Sequence, residues 1–362
     1  MQLGSVFLGE CLRKLLLVLL AVFLVPATVG FADDAACVVL GTQDIHECNA
    51  TAIAIDACGG RVRHTFPPSV LICDLNAEAE SSIKSIPAVQ MVSRSRVDVS
   101  SFPELSPNSR IGLDLWNSTF TIAAVTAHEA LPTAPLPVND ALTAPDTQLS
   151  AQQFEIHGRT AIPGSYQTSE FMIGKIAVGI ILPESIGGSE NWSNGLPADR
   201  QSTVVSKIVD GMNWWLSNSD PSARLSFTYD IHLSVPCNSE PISSFSEGTW
   251  VSETMGSLGY TGSNNLGLVR HYINDIRQQN NTDWSFCVFV VDSLNDSNGC
   301  FSDQRFAFSY RMGPMAVLTY DCSTWGISRM DMVFRHEVGH IFGGADEYCN
   351  PRDHTATFSQ SF

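Results

Sequence analysis

The chain has 362 residues, enough for two or three domains that each bury a core. Only 16% of its residues are charged, yet the net charge is −17. That acidity repels nucleic acid and anionic membrane surfaces and argues against both as partners, while leaving the substrate open. At the N-terminus, Arg13 and Lys14 precede an apolar run over 15–25 that Pro26 breaks. Gly30-Phe31-Ala32 then supplies small residues at the −3 and −1 positions of a cleavage site. Residues 1–32 read as a secretory signal peptide, cleaved after Ala32. The run is short for a membrane span, and no later stretch is long enough for one. A secreted chain meets an oxidising compartment. The cysteines after Cys11 are therefore expected mainly as disulfides, with Cys37, Cys48, Cys58 and Cys73 pairing among themselves. Cys287, inside an apolar run, is the candidate for a buried thiol. No CxxC spacing points to a cysteine metal site. Asn49, Asn117, Asn191, Asn280 and Asn295 open N-x-S/T sequons.

Residues 33–100 alternate in a readable order. A short apolar strand over 37–40 leads to a helix over 47–58, ended by Gly59-Gly60. Two strands of a hairpin follow over 61–75, around Pro67-Pro68, then a helix over 77–86 and a strand over 88–97. This β-α-β-β-α-β order is that of the ferredoxin-like split unit. The stretches GGRVRHTF, SVLICDL and AEAESSIKSIPAVQMVSR are similar to the prosegments that precede subtilisin-type proteases. The resemblance implies a folding chaperone and inhibitor of a downstream protease. A small accessory domain is the competing reading. Residues 101–168 are rich in Pro, Ser, Thr and Ala. Residues 131–145 carry four prolines and no sustained period, as a linker does. Residues 116–125 suggest an isolated strand pair or the tail of the first domain. His128 is expected to be a solvated loop histidine.

From Phe171 the pattern becomes an α/β alternation. Strands are expected over 175–182, 223–235 and 285–291, with helices over 199–216 and 265–278. Residues 306–320 read as a strand pair, or as an edge strand interrupted at Gly313-Pro314. An exposed strand here could pair with an extended peptide through its main chain, with Phe306, Phe308, Ala316 and Leu318 lining or underlying the cleft. His232 and His271 are expected to be packed or surface histidines.

The most informative stretch is His336-Glu337-Val338-Gly339-His340, followed by Gly343 and Asp346. Two histidines four apart on a helix lie about 40° apart around its axis, so both imidazoles reach one metal ion. Glu337, at the edge of that face, can deprotonate a water activated by the metal without ligating it. Met330, Phe334, Val338 and Ile341 give the helix a buried stripe. Gly343 stands where the helix must stop, and glycine accepts the left-handed conformation of such a stop. Asp346 follows with a hard anionic oxygen; Glu347 is its adjacent rival.

This pattern resembles the metzincin clan of zinc metallopeptidases, in its HExxHxxGxxD form, as in snapalysin-like enzymes. Asp346-Glu347-Tyr348 also resembles the DEY that follows HExxH in secreted bacterial metallopeptidases of the IgA-protease type. The resemblance implies His336, His340 and Asp346 as Zn2+ ligands and Glu337 as general base. It also implies a mixed sheet with backing helices and an active-site helix. Metzincins carry a methionine turn downstream of the third ligand, but no methionine follows Met332 and the sequence ends at Phe362. The expected reading is a frame that continues past Phe362, leaving the domain incomplete at its C-terminus; the alternative is a site floor built differently.

The expected organisation is then a signal peptide over 1–32, a ferredoxin-like prosegment-like domain over 33–100, a linker with short strands over 101–168, and a zinc metallopeptidase domain over 169–362. The fold class is α+β or α/β. The expected function is a secreted zinc metalloendopeptidase acting on protein or peptide substrates, with no nucleic-acid partner. The alternatives are a zinc amidase acting on cell-wall peptides, and a secreted binding protein with a non-catalytic zinc closed by a fourth ligand such as His354.

Overall fold

Ten strands form one mixed sheet in the order β4-β1-β3-β2-β7-β6-β8-β10-β9-β5. The computed structural model describes residues 34–120, 142–143, 168–187, 191–192, 199–293 and 296–344. The strands are β1 (Ala35–Leu40), β2 (Arg61–Phe66), β3 (Val70–Asp74), β4 (Val89–Ser93), β5 (Leu142–Thr143), β6 (Lys175–Ser185), β7 (Ser226–Cys237), β8 (Trp284–Val291), β9 (Ala307–Arg311) and β10 (Met315–Thr319). Among the described residues there are seven α-helices: α1 (Ile45–Ala57), α2 (Ala77–Ile83), α3 (Pro107–Ser118), α4 (Arg200–Asn218), α5 (Glu247–Ser257), α6 (Asn265–Gln279) and α7 (Met330–Ile341). No helix among them is long and apolar enough to cross a membrane. The signal-peptide segment and His128 lie outside the described residues.

The first four strands and two helices follow the expected β-α-β-β-α-β order. β1 pairs antiparallel with both β3 and β4, and β2 pairs antiparallel with β3. Asp44 and Asn76 cap α1 and α2 by accepting from His46 N and Ala79 N. Both helices pack on one face, where Cys48, Ala52, Ile55, Ala79 and Ile83 meet Val38, Leu71 and Cys73. A register shift between Val62 and His64 bulges β2, and His64 and Phe66 then lie against Tyr229 of β7. His64 is fully buried, with Nδ1 2.9 Å from Tyr229 Oη and Nε2 2.7 Å from Asn213 Oδ1 on α4. β2 pairs in parallel with β7 through His64↔Phe227 and Thr65↔Thr228, so one sheet runs through both segments.

Residues 101–120 form neither a linker nor a strand pair; 116–118 end a helix that packs on the first segment, in keeping with the tail of that domain. Ser106 accepts from Ser109 N, Pro107 occupies the first turn, and α3 follows. The apparent alternation of Ile111, Leu113 and Leu115 belongs to this helix. A Cβ on Gly112 would stand 2.3 Å from Phe66 Cγ, so the helix sits directly on that ring. Helix α5 has no counterpart in the sequence reading either. Its Ser, Thr and Gly content gives weak propensity. Buried Trp250, whose Nε1 donates to Ser243 O at 2.8 Å, anchors it instead.

The parallel strands β7, β6, β8 and β10 form the centre of the sheet. Side-chain alternation divides its residues between two layers. On one face, Ala177, Ile181, Cys287, Phe289, Phe308 and Val317 pack against Trp250, Val269, Tyr272 and Ile273 of α5 and α6. On the other, Phe286 meets Phe334 of α7, and α7 crosses α4 closely. A Cβ on Gly211 would stand 2.9 Å from Phe334 Cδ1 and 3.1 Å from Asp331 O. At the end of β8, Asp292 forms a buried ion pair with Arg200, whose guanidinium lies over the rings of Trp192 and Tyr320. This hairpin end of the sheet carries one unforeseen element. Leu142 and Thr143 pair in parallel with Tyr310 and Arg311, adding β5 outside β9.

Cys37, Cys48, Cys58 and Cys73, expected to pair among themselves, are free thiols in this structure. Cys48 and Cys73 lie in the α1–α2 core, but Cys58 is exposed. Burial pushes the Cys37 and Cys48 thiols up to about 12 and that of Cys287 well above the ordinary range. Such thiols are poor nucleophiles. Two sequons are also occupied by the fold. Asn117 is buried and exchanges hydrogen bonds with the Val97 backbone. Asn280 is buried and donates to Ile276 O.

Candidate metal centre

Helix α7 forms where its stripe requires. Met330, Phe334, Val338 and Ile341 are completely buried, and they hold the other face of the helix toward β9 and β10. On that other side, the imidazoles of His336 and His340 approach with their Nε2 atoms 3.1 Å apart. Two nitrogens bound at roughly 2.0–2.1 Å to one tetrahedral metal stand about 3.3 Å apart, so the pair already spans a shared ion.

The end of the helix fixes one of these rings. Gly343 has φ +87° and its N–H donates to His340 O at 2.8 Å, while Gly344 N–H donates to Gly339 O at 2.8 Å. This is a Schellman turn, and each glycine has its own reason. Gly343 supplies the left-handed backbone. A Cβ on Gly344 would stand 2.8 Å from Gly339 O. The turn brings the Gly344 carbonyl to 3.0 Å from His340 Nδ1. Nδ1–H then donates to that carbonyl, and Nε2 is left with the lone pair a metal needs.

Glu337 is buried, with 5% of its surface exposed. Ser309 of β9, itself inaccessible, donates from Oγ to Glu337 Oε2 at 2.7 Å. Arg311, two residues on, donates to Gly343 O through Nε and Nη2 at 3.2 and 3.0 Å. Met312 N–H donates to His340 O at 3.1 Å. The β9–β10 hairpin therefore grips both Glu337 and the end of α7. Behind the helix, Lys207 of α4 pairs with Asp331 at 3.3 Å. Burial pushes the nearby Asp210 up to about 6, with Lys207 opposing and Asp331 adding to the rise.

The four residues expected to line or underlie the cleft divide between the two faces of the sheet, with Ala316 and Leu318 on the side of Ser309. Phe306, Phe308, Ala316 and Leu318 are all buried, and Phe308 belongs to the core on the α5–α6 side. Ser309 and Arg311, which the sequence did not single out, face the helix. The signal was present in Ala307-Phe308-Ser309-Tyr310-Arg311, where small and polar positions alternate with aromatic ones. The strand pair is as expected, with β10 internal and β9 flanked by β10 and β5. His232 is held by Asp230 at 2.8 Å and His271 is exposed.

The donor chemistry at His336 and His340 fits zinc. Among the described residues no set of three His, Cys, Asp or Glu side chains converges as a metal site. Asp346, Glu347 and His354 lie outside those residues. No protein-family model matches the chain, and no curated protein matches it either.

Proposed function

We propose that this chain is the precursor of a secreted zinc metalloendopeptidase of metzincin type. In this reading His336, His340 and Asp346 hold the metal, and Glu337 is the general base. The observation that carries it is the convergence of the two Nε2 atoms at 3.1 Å beside a buried carboxylate held on a neighbouring strand. When bound, zinc makes water acidic enough to ionise near neutral pH and polarises a substrate carbonyl. Glu337 takes the proton of the attacking water and returns it to the leaving amine. Once β5 is withdrawn from Tyr310 and Arg311, the outer side of β9 offers main-chain groups to an extended peptide, which orients the scissile bond. The strand order β4-β1-β3-β2, antiparallel throughout and covered by α1 and α2, supports a ferredoxin-like unit in the first segment. We assign that unit to the precursor as its prosegment.

Zinc content and digestion of unfolded casein test the reading together in the full-length protein. Chelation abolishes cleavage. Glu337→Ala keeps the metal and loses cleavage, whereas His336→Ala loses both. Retained cleavage in Glu337→Ala sinks the mechanism.

A further inference from the structure

We propose that Ser309 is a positioning residue for the base Glu337: its buried hydroxyl holds the carboxylate in the one orientation from which it can accept a proton. The proposal rests on the peptidase reading. Its geometry comes from two elements 28 residues apart in sequence, with Ser309 Oγ 2.7 Å from Glu337 Oε2 and Ser309 completely buried.

A buried hydroxyl without a partner is costly, and here its proton goes to a carboxylate, the stronger kind of acceptor. The strand that carries it has little freedom to move. Ser309 pairs with Ala316 of β10, which pairs with Val288 of β8 in the centre of the sheet. On the opposite face of β9, Tyr310 Oη donates to both oxygens of buried Glu247, at 3.0 and 2.9 Å. Glu247 in turn accepts from Asn265 of α6. The helix is tied to the same frame through Arg311 to Gly343 and Met312 to His340. Ser309 thus acts between two anchored elements and fixes the one freedom they leave. The terminal torsion of a glutamate is broad and roughly two-fold, so backbone anchoring alone does not orient its oxygens. A general base must stand within 2.6–3.2 Å of the proton it takes. Ser309 touches neither substrate nor metal in this account, so its loss slows the chemical step without weakening substrate binding or zinc.

The test uses the full-length protein, with Ser309→Ala removing the hydroxyl and Ser309→Thr retaining it. Kinetics use a peptide taken from the wild-type casein cleavage products. Ser309→Ala should lower kcat about 10–100-fold, the scale of an ångström-sized misplacement, with KM and zinc stoichiometry unchanged. Ser309→Thr should restore most of kcat. The second readout is independent of turnover. In protein carrying 13C at the glutamate carboxyl carbons, the Glu337 resonance, identified by its absence in Glu337→Ala, should move in Ser309→Ala and not in Ser309→Thr. An unchanged kcat in Ser309→Ala overturns the proposal and leaves the peptidase reading standing. A joint fall of kcat and zinc content overturns it too, because that is what a structural residue would give. A zinc-loaded wild-type protein that cleaves nothing overturns the peptidase reading, and the role of Ser309 with it, wherever the resonance lies.

Discussion

The carbonyl oxygen of Gly344 lies 3.0 Å from Nδ1 of His340, on the far side of the ring from the nitrogen that faces His336. A helix stop and a proposed metal ligand are therefore one structure. Gly344→Ala forces a Cβ to 2.8 Å from Gly339 O, opens the turn and frees the His340 ring. Zinc affinity should fall about 10–100-fold, as it does when a ligand's outer hydrogen-bond partner is lost. Competition with a chromophoric chelator measures it. An unchanged affinity would show that the turn does not orient the ligand.

The third ligand gives a separate expectation from spacing. Asp346→Ala should weaken zinc binding, and Glu347→Ala should do so less. The reverse order would move the ligand to Glu347 and remove the metzincin assignment.

Acid should weaken the joint between the first segment and the rest of the sheet. Burial, the largest cause, lowers the pKa of His64 from 6.5 to about 4; the Asn213 hydrogen bond raises it and Arg63 lowers it further. The unfolded chain takes up this proton near pH 6.5 and the folded chain only near 4. The stability from a neutral His64 is thus complete above that window and is lost as pH falls through it, by about 3 kcal/mol in all. Asp210, with its raised pKa, acts in the opposite sense. Urea unfolding separates the two. His64→Gln should be less stable than wild type at neutral pH, and the gap should close toward the acid end. A gap of constant size would exonerate His64.

Asp292→Ala should destabilise the fold by about 3–5 kcal/mol, because it strands the Arg200 guanidinium in a buried site between Trp192 and Tyr320. Arg200→Met with Asp292→Ala should recover much of that loss. Chemical denaturation of the two variants decides it, and equal losses would argue against a buried charge as the cause.

Limited proteolysis should cut first within residues 131–145, where four prolines break any period. Peptide cleavage should then rise, because Leu142–Thr143 pairs with the β9 edge that the proposed function offers to substrate. Cutting without any gain would leave β5 a structural strand only.

Helix α7 was legible because Met330, Phe334, Val338 and Ile341 repeat at helical spacing over a length that only a buried helix explains. Its stop was legible in Gly343, which needs a positive φ, but Gly344 was not, because its need is the nearness of Gly339 O. Helices α3 and α5 went unread for different reasons. The apolar residues of α3 alternate as they would in a strand, and α5 is held by the burial of Trp250 rather than by propensity. Ser309 was invisible for a third reason. Its meaning depends on which face of β9 meets α7, and a short strand's sequence does not say which of its two faces that will be.

If the chain is secreted as proposed, the covering of β9 by two residues also bears on how it would survive outside the cell. An outer strand with bare N–H and C=O groups is a template for any passing strand, including another copy of itself. β5 spans only Tyr310 and Arg311 of β9, so the guard is short and comes from the same stretch that proteolysis is expected to sever. Activation and loss of protection would then be a single event. A processed enzyme would keep its lifetime by staying dilute or by keeping peptide on that edge, and concentrated, substrate-free enzyme would be the form that clumps.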